Sequence, residues 1–162
     1  MDLTEIDLTN KEFKAELAKR FKNINYRFEK EIVLFGNIQL LLDSATVYSL
    51  ARELASKMSG KDLVAMNVSI TLLNAVFVLI KRKVPDKARK VLNATCQLNF
   101  SANDLLTRVR IKFLKILLNY IDSGKEYQIK QFLNSLESEQ LKESWTFAFQ
   151  QVKDIYNLST SI

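Results

Sequence analysis

Four polar side chains interrupt the most apolar segment of the chain, and three of them share one face of the helix that this segment predicts. Asn67, Thr71 and Asn74 stand at positions i, i+4 and i+7, a spacing that brings side chains together on one side of a helix. Side-chain amides both donate and accept hydrogen bonds, so such a line could pair with the backbone of an extended peptide. An equally open interpretation is that these groups only tie neighbouring helices together, because buried polar groups need partners.

An internal repeat extends this polar line to a second segment. When the chain is shifted by 41 positions, residues 68–93 align without a gap on residues 109–134, with Val68 on Val109. A unit of this length, in which a long apolar segment precedes a shorter amphipathic one, is typical of stacked helical hairpins. Arrays of such hairpins offer extended binding surfaces, so the repeat indicates a binding function.

The shift of 41 positions also carries this polar line onto a basic line, which consists of Arg108, Lys112 and Lys115 and ends at Asn119. Val78 is carried onto Asn119 in the same alignment, and a weaker register of 37 positions carries Asn74 back onto Asn37. Cations on one stripe repel each other unless an anion offsets them, which favours an acidic or carboxylate-bearing ligand; the alternative is that they simply face water. The predicted peptide-binding residues are Asn37, Asn67, Thr71, Asn74, Arg108, Lys112, Lys115 and Asn119.

The composition limits the fold and the class of function. The chain has 162 residues, 48% of them hydrophobic, with only three glycines and one proline, which predicts a single all-α domain with short connections. It contains no histidine, and it shows no paired carboxylates, Gly-rich phosphate loop or nucleophile elbow. We therefore predict that the protein is not an enzyme and that it uses no metal or other cofactor.

Compartment and partners are limited in the same way. The single Cys96 excludes an intramolecular disulfide and no secretory leader is visible, so we expect a cytoplasmic protein. The apolar run Leu72–Ile80 is far shorter than the roughly 20 residues that cross a bilayer, so we expect no membrane contact. A net charge of +6 permits an anionic partner, but both signs are interspersed and no recognition motif appears, which disfavours direct nucleic-acid binding.

Helical periodicity predicts about eight helices that position these residues. Ser44 and Ser101 are the predicted N-caps of two helices, Pro85 suits a first helical turn, and Gly60 and Gly124 suit helix ends. The predicted helices span about 11–22, 25–42, 45–59, 62–83, 85–98, 102–123, 125–136 and 139–157. They form one domain over 1–162, with hairpins at about 25–60, 61–100 and 101–137 and a terminal helix at 139–157.

The terminal helix is more apolar than a solvent-facing cap of a helical array requires. We therefore predict that it packs against another chain. The predicted interface residues are Trp145, Phe149, Val152 and Tyr156.

Three segments carry a resemblance to a known family. They are Leu34-Phe35-Gly36-Asn37, Leu72-Leu73-Asn74 followed by Ile80 and the turn at Pro85, and Arg110-Ile111-Lys112-Phe113-Leu114-Lys115. Over most of residues 25–157 the chain resembles the C-terminal repeat domain of the Rgg/GadR/MutR family of transcriptional regulators of Gram-positive bacteria. Within the segments, Asn37, Asn74 and the stretch 110–115 occupy the positions that match the ligand residues of the family.

The resemblance implies a tetratricopeptide-like, right-handed α-solenoid of stacked antiparallel hairpins. It also implies that the domain senses a short secreted signalling peptide on its concave face, as in quorum sensing, and that it dimerises through its C-terminal part. Relatives contact DNA through an N-terminal helix-turn-helix domain that this sequence is not expected to contain, whether as an excised domain or as a natural truncation. The alternative function is a helical-repeat scaffold that docks a protein partner on its terminal helix and senses no peptide.

Overall fold

The apolar periodicity of the chain produces helices throughout the part that the structure describes. The structure is a computed structural model, and it describes residues 29–157 together with Lys11, Glu12 and Ala15. Over residues 29–157 it contains seven α-helices: α1 Glu29–Ile38, α2 Ser44–Met58, α3 Met66–Lys81, α4 Pro85–Cys96, α5 Leu105–Ser123, α6 Tyr127–Asn134 and α7 Glu139–Tyr156. A short 3-10 helix, Gln39–Leu41, follows α1.

The all-α prediction is therefore confirmed for the described residues. No strand forms among them; the only extended pairing there is an isolated bridge between Val64 and Phe100. Of the first predicted helix, 11–22, only Lys11, Glu12 and Ala15 are described, and they are helical. The remainder of that helix, and residues 25–28 of the second, lie outside the described residues.

Helix α3 is the centre of the core. Its nearly continuous apolar sequence predicts burial on several sides, and ten of its 16 residues are buried. It packs against α1, α2, α4, α5 and α7. Both α1 and α2 pack on α3 more extensively than on each other, so the first predicted hairpin is held together largely through α3.

The N-caps of two helices differ from the prediction. Helix α2 is capped by Asp43, whose Oδ1 accepts from the Thr46 N–H at 2.7 Å, so Ser44 is the first helical residue rather than the cap. Helix α5 begins at Leu105 and is capped by Asp104, whose Oδ1 accepts from the Thr107 N–H at 3.1 Å, rather than by Ser101. A carboxylate interacts more favourably than a hydroxyl with the positive end of the helix dipole.

The start of α3 follows from contacts between distant residues, whereas other helix ends follow from local backbone chemistry. Helix α3 starts four residues later than predicted. The Val64 N–H donates to the Asn99 carbonyl at 2.9 Å, and the Asn99 amide donates to the Asp62 carbonyl. These two hydrogen bonds hold the residues before α3 in an extended conformation. Pro85 lies in the first turn of α4 as predicted. Gly60 and Gly124 have positive φ angles of 77° and 69° after α2 and α5, as expected of helix-terminating glycines.

Polar contacts fix α1 and the 3-10 helix to α3. The Thr71 hydroxyl donates to the Ile32 carbonyl at 3.3 Å, and the Gln39 amide donates to the Thr71 carbonyl at 2.9 Å. A Cβ on Gly36 would lie 3.0 Å from the Thr71 hydroxyl oxygen, so the glycine permits a close approach of the two helices. Arg82, just after α3, donates to the carbonyls of Leu40 and Leu42.

Within the described part of the chain, every helix is too short or too polar to cross a lipid bilayer.

Candidate functional site

The predicted polar line on α3 divides between the core and an open face. Thr71 is buried and bonded to Ile32, so it ties α3 to α1, which is the structural role that the sequence left open. Asn67 is half-buried, and its Oδ1 has no hydrogen-bond partner among the described residues. Asn37 is exposed. Asn74 is half-buried and is the member of the line that contacts α5.

Asn74 and Arg110 join α3 to α5. The Arg110 guanidinium donates to the Asn74 Oδ1 at 2.9 Å, and this is the one hydrogen bond that it makes with the described residues. No carboxylate lies within 4.0 Å of Arg110 in residues 29–157. Burial lowers the pKa of Arg110 because the charged form loses hydration, and no acidic neighbour compensates. Arg110 is therefore a half-buried cation whose partner is a neutral amide.

A pocket opens beside this pair, between α3, α5 and α7. Its volume is about 160 Å³. The indole of Trp145 stacks on the ring of Phe113, with the two centroids 5.1 Å apart, and lies 5.8 Å from the ring of Phe132. The lining residues are Leu73, Asn74, Phe77, Arg110, Phe113, Leu114, Trp145 and Ala148. The pocket thus combines aromatic and aliphatic walls with one guanidinium and one amide.

The predicted basic line lies on the other side of α5. At 3.6 residues per turn, its members are about 140–180° around the helix from Arg110. Lys112 places its ammonium 5.8 Å from the ring centroid of Phe132, and Lys115 lies near Arg89 in a shallow surface depression. All members of this line are exposed: Arg108, Lys112, Lys115 and Asn119. The structure therefore does not bring them together with Asn74.

The repeat explains this difference. A shift of 41 positions aligns residues that occupy equivalent places in successive hairpins. Neighbouring helices, however, meet through different faces, so the residues that touch are not the equivalent ones. Ser69 bonds to Thr107 at 2.8 Å, 38 positions away, and Asn74 bonds to Arg110, 36 positions away.

The four residues predicted for a dimer interface contact their own chain. Phe149 and Val152 are buried, and the ring of Phe149 meets that of Tyr120 edge-on at 5.0 Å. Trp145 belongs to the pocket, and the Tyr156 hydroxyl donates to the Ile80 carbonyl at 2.7 Å. The apolar face of α7 is thus largely used in docking this helix onto α3, α5 and α6.

The predicted set of peptide-binding residues left out Arg110 and Phe113, although the segment 110–115 carries the resemblance, and Trp145 was predicted for a dimer interface rather than for this pocket. A signal was available, because Arg110 lies three and four residues before Phe113 and Leu114 and therefore shares the apolar face of its helix. A cation on an apolar face is half-buried by its position alone, unlike the neighbouring cations on the polar face.

The fold and the pocket define the class of protein. It is an all-helical domain that is built on one central helix, with an amide and a guanidinium between two neighbouring helices. The chain belongs to the family described as the C-terminal domain of the HTH-type transcriptional regulator Rgg; the model of that family matches residues 2–146. This is the family that the sequence resembles, and it is a family of transcription-regulator domains, not of enzymes. Neither a curated protein nor a solved structure matches the chain significantly.

Proposed function

We propose that this chain is the effector domain of a bacterial transcriptional regulator, that it binds a short signalling peptide in the cytoplasm and that it forms a homodimer. The observation that carries the proposal is the Asn74–Arg110 pair at the mouth of an aromatic pocket. We also propose that the hairpins form a right-handed solenoid whose concave side contains this pair. DNA contact would require a separate helix-turn-helix domain.

The surroundings of the pocket support a linear ligand. Amide and guanidinium groups suit peptide carbonyls and carboxylates, whereas the aromatic wall suits an apolar side chain. Exposed apolar groups continue the same face, with Ile70 on α3 40% exposed and Leu106 on α5 44% exposed. An extended peptide could therefore place one side chain in the pocket and lie along both helices.

A change in α7 would connect binding to regulation. Helix α7 forms one wall of the pocket through Trp145 and Ala148, so a ligand there contacts α3, α5 and α7 together. A peptide that binds one arrangement of these helices better than another shifts the population by its difference in affinity. If this shift displaces α7, the geometry of the proposed dimer would change with it.

Isothermal titration with a pooled library of short hydrophobic and acidic peptides tests the proposal. We expect saturable binding to the wild-type chain. The affinity of Asn74→Ala should be lower by about tenfold or more, because this change removes an amide that both donates and accepts hydrogen bonds. The matched control is Lys112→Ala/Lys115→Ala, on the other side of α5, which should bind as the wild type does. If the control loses binding and Asn74→Ala keeps it, the ligand lies on the basic line instead.

The homodimer is proposed to use the outer face of α7. Phe147 is 65% exposed there, among Lys142, Glu143 and Gln150. Phe147→Glu should shift sedimentation from dimer to monomer, while Thr146→Glu, which adds the same charge beside it, should shift it less. The same exposed phenylalanine favours the second candidate function, a scaffold that docks another protein; a wild-type chain that is monomeric and binds no peptide would favour that candidate.

A further inference from the structure

We infer that the pocket beside Arg110 takes a carboxylate that is attached to a single ring or branched apolar group. The inference rests on the proposed function where the carboxylate is the C-terminus of a peptide, and it stands alone where the ligand is a free small carboxylic acid. The anion would then bind Arg110 rather than the exposed cations of the basic line.

Five other half-buried cations of the described residues have partners. Two of them lie over aromatic rings, Lys81 at 5.0 Å from the centroid of Phe77 and Lys87 at 5.6 Å from that of Tyr48. Arg89 forms an ion pair with Asp122 at 2.6 Å, and Arg82 donates to main-chain carbonyls at the end of the 3-10 helix. Lys153 forms an ion pair with Glu126 at 2.5 Å. Arg110, in contrast, donates one hydrogen bond to the neutral Asn74.

This arrangement leaves a partly desolvated positive charge with unused hydrogen-bond donors. A guanidinium has five N–H donors in a planar fork that fits a carboxylate through two parallel bonds. Burying a charge without an opposite partner is unfavourable. The attraction of an incoming carboxylate would offset part of this desolvation cost. The Asn74 amide nitrogen, which has no partner among the described residues, offers a further donor beside it.

The size of the pocket limits the rest of the ligand. An engineered cavity of about 150 Å³ holds one benzene molecule, whereas pockets for drug-sized ligands measure roughly 300–1,000 Å³. The present pocket, at about 160 Å³, therefore accommodates one ring or one leucine-sized group. Trp145, Phe113 and Phe77 supply the apolar wall against which that group would pack.

Matched probes that differ only in charge test the inference on the complete chain. Trp145 is the only tryptophan of the protein and lines the pocket, so its emission reports occupancy. We expect 3-phenylpropionate to change this emission saturably, with a Kd on the order of 1 mM or tighter for so small a ligand. The uncharged 3-phenylpropanamide should bind at least about tenfold more weakly.

Two variants locate the anion. Arg110→Met keeps the length and apolar contacts of the side chain without its charge, and it should lose the preference for the acid over the amide. Arg108→Met, on the exposed side of the same helix, should keep that preference. Equal binding of acid and amide by the wild type overturns the inference without any variant, and so does an unchanged preference in a folded Arg110→Met chain.

The peptide library, prepared once with free C-termini and once as C-terminal amides, separates the two sources of carboxylate. Preference for free C-termini supports both the inference and the proposed function. Equal peptide binding in both forms contradicts the inference and leaves the proposed function standing. Binding of 3-phenylpropionate without any peptide supports the inference with a small acid as the ligand, and contradicts the proposed function.

Discussion

Among single residues, two arginines of this domain are both partly buried but have different hydrogen-bond partners. Arg82 is a partly buried cation that satisfies its donors with the carbonyls of Leu40, Leu42 and Gln39. Burial lowers its pKa, and Asp43 partly opposes this effect. Arg110 is also partly buried, but it has one amide partner. We interpret the first as a structural group and the second as a binding group.

Arg82→Met should destabilise the fold, because carbonyls at the end of the 3-10 helix lose their donor. We expect the free energy of unfolding to fall by about 2–3 kcal/mol, as for other losses of a partly buried hydrogen-bonded group. Chemical denaturation measures this change. Arg52→Met is the control, because Arg52 is exposed and donates a single long bond of 3.5 Å to the Lys90 carbonyl. Equal stability of the Arg82 and Arg52 variants would contradict the structural role.

The ion pairs of Glu126 should make the stability of the C-terminal part depend on pH. Its carboxylate pairs with Lys130 at 2.6 Å and with Lys153 at 2.5 Å, and hydrogen bonds from these two lysines lower its pKa below the ordinary value of 4.5. A lowered pKa in the folded state contributes stability that is present above pH 4.5 and is lost as the pH falls through the folded value.

We therefore expect Glu126→Gln to destabilise the domain at about pH 7, by roughly 0.5–1 kcal/mol, and to have little effect near pH 3. Denaturation at the two pH values measures the difference. Glu53→Gln is the comparison, because the Glu53–Lys57 pair at 2.9 Å is well exposed and joins residues of a single helix. A Glu126 variant that loses the same stability at both pH values would show that the pair is not the cause.

At the scale of elements, the sequence predicted the helices but not all of their ends. The existence of α2 to α7 follows from apolar periodicity, and Pro85, Gly60 and Gly124 mark ends through local backbone chemistry. The start of α3 could not be read in this way, because it depends on Asn99, 37 positions away from the Asp62 carbonyl that it binds. Local signals specify the type of an element, whereas tertiary contacts fix its limits.

Helix α7 should depend on Tyr156 for its docking. The Tyr156 hydroxyl donates to the Ile80 carbonyl at the end of α3, so Tyr156→Phe removes one partly buried hydrogen bond and should cost about 1 kcal/mol. Amide hydrogen exchange should quicken in α7 more than in α2. Tyr127→Phe is the control, because that side chain is mostly exposed. Unchanged exchange in α7 of the Tyr156 variant would mean that this bond does not hold the helix.

At the scale of the whole molecule, the all-α class and the family could be predicted, whereas the geometry of the site could not. The family follows from short segments such as 34–37 and 110–115. The side of each helix that meets its neighbour depends on how the helices cross, and this geometry put Arg110 rather than Lys115 beside Asn74. A repeat alignment identifies equivalent positions but not contacting ones.

The indole N–H signal of Trp145 reports whether a peptide occupies the pocket between α3, α5 and α7. With one tryptophan in the chain, a ¹⁵N-labelled sample gives one indole resonance. We predict that the peptide pool shifts this resonance saturably, with the Kd that calorimetry measures, and that Asn74→Ala suppresses the shift. If calorimetry detects peptide binding while the indole resonance stays in place, the peptide binds outside this pocket and the proposed site is wrong.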